Sequence, residues 1–305
     1  MIPLVDAWVP ITIAAVILQT IRSALQKKLK SDLKTSAVTF IRFAFGLPLA
    51  VFFLFALLQT GEAEAPAPDG PFVLYAVVAA FGQVMGTFLL LYLFSFRNFA
   101  VGTTYTKTEA IQTALFGLVL FGEAMSVAGF AAILISVVGV MTISVVYGHA
   151  GLRGFLTGWL SREAMIGLAS GAGFAIASVA IRAASLSLGS DSVVLAATYT
   201  LVWVLGMQTV MMLGYFLLRD RAQLIRIFRH LRFATLIGLS SVLGSMCWFI
   251  AMTLENAAYV KTLGQIELVF TLLVSYLIFK ERSTRWELAG MVLIVAGIVI
   301  LLWAR

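Results

Sequence analysis

Residues 96–123 read FRNFAVGTTYTKTEAIQTALFGLVLFGE, and residues 254–281 read LENAAYVKTLGQIELVFTLLVSYLIFKE. A shift of about 158 residues lays one stretch over the other. It places Asn98 on Asn256, Glu109 on Glu267, and Phe121-Gly122-Glu123 on Phe279-Lys280-Glu281. The same shift carries Gly86 onto Gly244 and Gly139 onto Gly297. A lone Phe-x-Glu match would carry no weight, but several identities in one register mark an internal repeat. Both stretches are apolar, yet each holds lysine and glutamate well inside it.

The rest of the chain is apolar in the same way. Of 305 residues, 61% are hydrophobic and 11% are charged, with a mean hydropathy of +1.03. A soluble domain cannot bury that much apolar surface, whereas a bilayer covers it. Glycine is frequent (25) and proline scarce (6), a balance that suits helices packed closely in a membrane. The single cysteine, Cys247, excludes an intramolecular disulfide and reads as a small buried hydrophobe. The net charge of +7 would suggest nucleic acid in a soluble protein. In an apolar chain it instead fits basic loops facing an anionic leaflet, and no nucleic-acid partner is expected.

Apolar runs of helical length predict ten spans: 7–26, 36–58, 72–94, 101–121 and 126–146, then 162–184, 192–217, 233–254, 258–279 and 286–303. The short links at 95–100 and 255–257 carry Asn98 and Asn256 and divide what would otherwise read as long helices. The expected fold is an all-α integral membrane protein with ten transmembrane helices in two five-helix repeats. The repeats are residues 1–148 and 162–305, joined by an amphipathic linker at 149–161. Five is an odd number, so the second repeat must enter the membrane from the opposite face. Inverted repeats of this kind build two access states around one central site in many secondary transporters.

Charge sets the expected orientation. The links between odd and following even spans carry about fifteen Lys and Arg, against about three on the face with both termini. Lys27, Lys28, Lys30 and Lys34 lie in the first of these links, and Arg219, Arg221, Arg226, Arg229 and Arg232 in the fourth. The basic links are therefore expected in the cytoplasm and both termini outside. Residues 152–160 and 224–231 have apolar side chains at helical spacing beside arginines, as interfacial helices do.

Ionisable residues inside a span cost about 2.5–3.5 kcal/mol on insertion scales, so they turn inward and find partners. Lys107 and Glu109 in span four, with Lys261, Gln265 and Glu267 in span nine, are the clearest cases. Each glutamate lies about eight residues into its span, or about 12 Å at helical rise. Coming from opposite faces, both reach the midplane. One reading is a central polar cavity in which Glu109 and Glu267 hold cationic groups or protons, and Lys107 and Lys261 balance them. The other is a set of ion pairs that only fixes helix packing. Lys261 is also near enough to its span end to snorkel. Arg42 and Arg22 can line the cavity mouth or snorkel toward the basic face. Tyr105, Gln83, Tyr199 and Gln112 are candidate hydrogen-bonding groups for a substrate, and Trp203 and Trp248 read as packing aromatics. Glu123 and Glu281 read as helix N-terminal caps or interface residues.

No catalytic constellation is visible: there is no Walker loop, no HExxH and no Asp-rich pair, and His149 and His230 fall in basic links. No enzyme activity, cofactor or metal is expected.

Two five-span repeats, each with an apolar helix, a Phe-x-Glu sequence and a glycine-containing apolar helix, resemble the EamA-type branch of the drug/metabolite transporter superfamily. Phe121-Gly122-Glu123 with Gly129 and Gly139 carries the resemblance in the first repeat, and Phe279-Lys280-Glu281 with Gly290 and Gly297 in the second. Arg42 resembles an arginine often found in the second span of that family. The resemblance implies an inner-membrane secondary transporter, commonly an exporter of amino acids or other small metabolites. It also implies cytoplasmic termini, against the loop charges. The expected function is alternating-access transport of a small polar metabolite with protons as a candidate coupling ion. The alternative is a flippase or carrier of a lipid-linked molecule. The expected partners are that substrate and membrane lipid, with the chain a monomer or homodimer.

Overall fold

Apolar helical runs dominate the chain because a backbone in hydrocarbon must satisfy its own hydrogen bonds. The computed structural model describes residues 7–59, 66–96, 105–147, 161–270 and 284–303, without the side chains of 144–147. Its helices are α1 (Trp8–Leu29), α2 (Thr35–Ala44), α3 (Leu47–Gln59), α4 (Gly70–Leu93), α5 (Glu109–Phe121) and α6 (Val127–Tyr147). They continue as α7 (Arg162–Ser187), α8 (Val193–Arg219), α9 (Arg221–Arg229), α10 (Leu231–Leu254), α11 (Ala257–Gly264) and α12 (Arg285–Trp303). No strand occurs among the described residues.

Among the described residues, seven spans are long and apolar enough to cross a membrane: α1, α2 with α3, α4, α7, α8, α10 and α12. The α5 helix and residues Val127–Ile143 of α6 are shorter apolar helices. Bulky apolar side chains point outward, among them Val127 at 88% exposure and Leu218 at 84%. Such a surface belongs in lipid, and the chain is a multi-pass membrane protein. Asn98, the linker 152–160 and Phe279-Lys280-Glu281 lie outside the described residues.

The second predicted span is not one straight helix. It breaks at Phe45-Gly46, just before Pro48, whose missing N–H is harmless in the first turn of α3 but not in a continuous helix. Span four also breaks. Residues 105–106 are helical, Lys107 and Thr108 form a turn, and the helix restarts at Glu109. Span nine breaks at Gln265, between α11 and a helical stretch at 266–270. The expectation that Glu109 and Glu267 sit part-way along unbroken helices is therefore corrected.

Helix packing divides the chain into two compact units, residues 1–84 with 177–256 and residues 85–176 with 257–305. Each draws on both halves of the sequence. In the first unit α1 packs along α10, and α8 packs against α2, α3 and α10. Phe72 meets the edge of Trp203 at 5.8 Å, and Trp248 donates to Gln19 Oε1 at 3.2 Å, so both tryptophans pack as expected. Gln208 donates to Gln83 at 2.8 Å, and Tyr199 packs on Phe72. Cys247 is only half-buried. Gly238 has a steric reason: a Cβ there would stand 2.7 Å from the carbonyl oxygen of Phe45, at the break between α2 and α3.

In the second unit α6 packs along α12. A Cβ on Gly139 would come within 2.8 Å of the Gly290 carbonyl oxygen and the Ile294 nitrogen. A Cβ on Gly297 would meet the Ala132 carbonyl and Ser136 in the same way. The repeat shift turns Gly139 into Gly297, Ala132 into Gly290 and Ser136 into Ile294, so the contact is reciprocal. Phe121-Gly122-Glu123 is the C-terminal end of α5. Gly122 takes the left-handed conformation (φ 63°), and Glu123 N donates to the Gly117 carbonyl at 3.0 Å. The hydroxyl that caps α6 is that of Ser126, which accepts from Gly129 N at 3.0 Å, so the reading of Glu123 as an N-terminal cap is corrected.

Candidate substrate site at the two broken helices

The second unit holds the breaks of spans four and nine, which fall within a residue of equivalent repeat positions. Local hydrogen bonding explains the first. Thr108 N and Thr108 Oγ1 both donate to the Tyr105 carbonyl, at 3.2 and 2.6 Å, which tightens the turn instead of extending a helix. Gln112 holds the turn from the other side, donating to Thr108 Oγ1 at 2.8 Å and to the Leu168 carbonyl at 3.4 Å. At the second break Gln265 N donates to the Thr262 carbonyl at 3.1 Å. Gly171 of α7 lets that helix lie against the first break, since its Cβ would stand 3.0 Å from the Thr106 carbonyl and 3.1 Å from Gln112 Nε2.

Each break creates a fresh helix N-terminus with a carboxylate in its first turn. Glu109 opens α5, and Glu267 is the second residue of the stretch 266–270. The positive end of the helix dipole favours a negative charge there. Discontinuous helices with ligand groups at their broken ends are a recurrent way of building a site inside a membrane.

The charges pair crosswise. Lys107 Nζ lies 2.8 Å from Glu267 Oε2, with side-chain exposures of 21% and 16%. Lys261 Nζ lies 3.6 Å from Glu109 Oε2, with exposures of 10% and 15%. Each carboxylate thus takes the lysine of the other helix. Lys261 also sits 5.9 Å from the centroid of the Phe174 ring. It is paired in the interior, so the snorkelling reading is corrected. Gln265 is 3% exposed, and neither its amide nitrogen nor its amide oxygen has a hydrogen-bond partner. Tyr105 is fully buried one turn before Glu109.

Of the residues singled out from the sequence, Glu109, Glu267, Lys107, Lys261, Gln265 and Tyr105 all belong to the second unit. Arg42 belongs to the first, where it is buried. Thr108, Gly171 and Phe174 were not legible as contributors. The threonine run at 103–108 was the available signal, because hydroxyl side chains compete for backbone carbonyls and weaken a helix. As a set, the two lysines and two glutamates are neutral. A proton or cation that takes a carboxylate releases a lysine, and an anion that takes a lysine releases a carboxylate. Among the described residues no cluster of His, Cys, Asp or Glu could hold a metal ion.

A family model described as the EamA-like transporter family matches residues 6–145 and again 162–303. No curated protein matches the chain. A solved structure described only as "Crystal structure of protein" is similar, with a TM-score of 0.69 at 15% identity, covering 98% of both chains. At that identity the likeness concerns the fold alone.

Proposed function

The chain belongs to the EamA-like transporter family, and on that premise we propose that it moves a small polar metabolite across the membrane by alternating access, centred on Glu109, Glu267, Lys107, Lys261 and Gln265. Members of that family are transporters, which supports reading the chain as a membrane transporter of the drug/metabolite type. The observation that carries the site is the crossed pairing of four charges at two broken helices. A structural ion pair alone needs no helix break, no second pair and no unsatisfied amide beside it. Gln265 offers one donor and one acceptor to a substrate, and Tyr105 borders the first break.

The reading of ten spans as two inverted five-helix repeats rests on the two family matches and the odd number of spans per repeat. The reciprocal contact of Gly139 and Gly297 supports it, because a two-fold relation produces such pairs. An inner-membrane location follows from the resemblance, and the loop charges favour a cytoplasmic basic face with both termini outside. Reporter fusions at the termini test that orientation. A cytoplasm-only reporter active at the C-terminus rejects it.

Proton coupling follows from a carboxylate that alternates between a lysine and a proton. Counterflow in liposomes, screened over amino acids, amines and organic anions, identifies the substrate. With that substrate in hand, Glu109→Gln and Glu267→Gln are expected to abolish or uncouple flux while the protein stays monodisperse. Wild-type flux with wild-type pH dependence in both variants refutes the site.

A further inference from the structure

We propose that α9 and the α1–α2 link of the first unit form one basic surface that binds the headgroups of anionic phospholipids. The chain leaves α9 little choice of place. It joins α8 to α10, both long and apolar enough to cross a membrane, and its nine residues span about 13 Å at helical rise. A link that short stays at the membrane surface. It packs against α2, α8 and α10, and buries Gln223 and Ile227, at 2% and 1% exposure. The face left uncovered has two edges. Ile225 and Phe228, one turn apart, lie along the first at 65% and 69% exposure. Arg226 and Arg229, also one turn apart and exposed, lie along the second. Water disfavours the first edge and hydrocarbon the second. The headgroup layer suits both, with the apolar side chains at the acyl boundary and the guanidiniums among phosphates.

Measured contacts bring the α1–α2 link onto the same surface. Lys34 Nζ lies 2.6 Å from Asp220 Oδ2 at one end of α9, and His230 Nδ1 lies 4.0 Å from Asp32 Oδ2 at the other. Lys28 Nζ lies 5.1 Å from the centroid of the Phe233 ring, just beyond α9. Residues 27–34 and 219–233 therefore lie side by side, and together they hold nine lysines and arginines against two aspartates. Both aspartates already face a basic group within the fold. A soluble anion could meet the arginines but would leave Ile225 and Phe228 in water. An anionic leaflet meets both edges at once, and each cation near it is worth about a fivefold preference over a neutral one.

Hydrogen–deuterium exchange tests this on purified full-length protein in nanodiscs of phosphatidylcholine, alone or mixed with phosphatidylglycerol. Amides of residues 221–229 are expected to exchange more slowly in the anionic disc, and the difference should shrink as salt is raised. Amides of α12, in the other unit, should exchange alike in both discs. In the double variant Arg226→Gln with Arg229→Gln, the ratio between discs should fall roughly tenfold or more. Arg226→Lys with Arg229→Lys should keep most of it, since a leaflet reads charge. Ile225→Ser with Phe228→Ser should speed exchange in both discs, because the apolar edge inserts whatever the headgroup charge. All these side chains are exposed, so the substitutions leave the packing of the unit intact. Equal exchange in the two discs overturns the proposal, and so does a wild-type ratio in the double glutamine variant. Inorganic phosphate added to the phosphatidylcholine disc should not reproduce the protection. If it does, the surface takes a soluble anion and the lipid assignment falls.

Discussion

At Gln265 an amide is buried with its nitrogen and oxygen both unpartnered, which costs about 1–3 kcal/mol relative to a satisfied or apolar residue. Gln265→Leu is therefore expected to raise unfolding stability in detergent while lowering transport. Stability unchanged or lowered, with full transport, would remove Gln265 from the site. The ion pairs predict a different pattern. Removing one partner of a largely buried pair leaves a lone charge and costs about 3–5 kcal/mol, whereas replacing both is far milder. Lys107→Met should thus destabilise more than the double change Lys107→Met with Glu267→Gln, and the double-mutant cycle measures the coupling. If Lys107 couples instead to Glu109, two positions along its own chain, the crossed arrangement fails. These residues were legible in the sequence because ionisable groups are rare inside apolar runs. Their pairing was not, because which lysine meets which glutamate depends on where the two helices break.

Helices were legible as elements from long apolar runs, and the links at Asn256 and the span ends fell close to expectation. The breaks were not, since Thr108 and Gln265 interrupt helices through local hydrogen bonds that barely disturb the apolar pattern. Glycine composition likewise signalled close packing without saying which glycine meets what. The structure separates them. Gly238→Ala puts a methyl against the Phe45 backbone and should cost about 1–3 kcal/mol. Gly206→Ala, with nothing near the added methyl, should gain about 0.5–1 kcal/mol from helix propensity alone. Unfolding of the two variants side by side tests this, and equal effects would refute the packing role of Gly238. Gly171→Ala presses on the Thr106 carbonyl and Gln112. Its expected loss is in transport more than in yield, because it shifts the first turn of α5 and with it Glu109.

For the whole molecule, the repeat visible in the sequence and the units formed by packing divide the chain differently. The family model finds its two copies in residues 6–145 and 162–303. The packed units each combine segments from before residue 148 and after residue 161. Sequence similarity reports how a chain was duplicated, while packing reports which surfaces cover each other, and here helices find their main partners in the opposite copy. In the first unit α1 lies along α10, and Gly244 of α10 brings it within 3.2 Å of the Leu18 side chain for an added Cβ. In the second unit the repeat-equivalent Gly86 of α4 stands 3.0 Å from the Phe174 ring of α7, and Ser170 donates to the Gly86 carbonyl at 2.8 Å. The α6–α12 contact also joins the two copies. Between membrane helices association comes from such close packing, since lipid already covers apolar surface. A half-chain therefore loses the packing that defines both units. Residues 1–148 and 149–305 expressed singly are expected to be protease-sensitive and polydisperse in mild detergent, and co-expression should restore a stable complex. A monodisperse, protease-resistant 1–148 would show that the repeat folds alone, and the exchange of partners between copies would then be secondary to its fold.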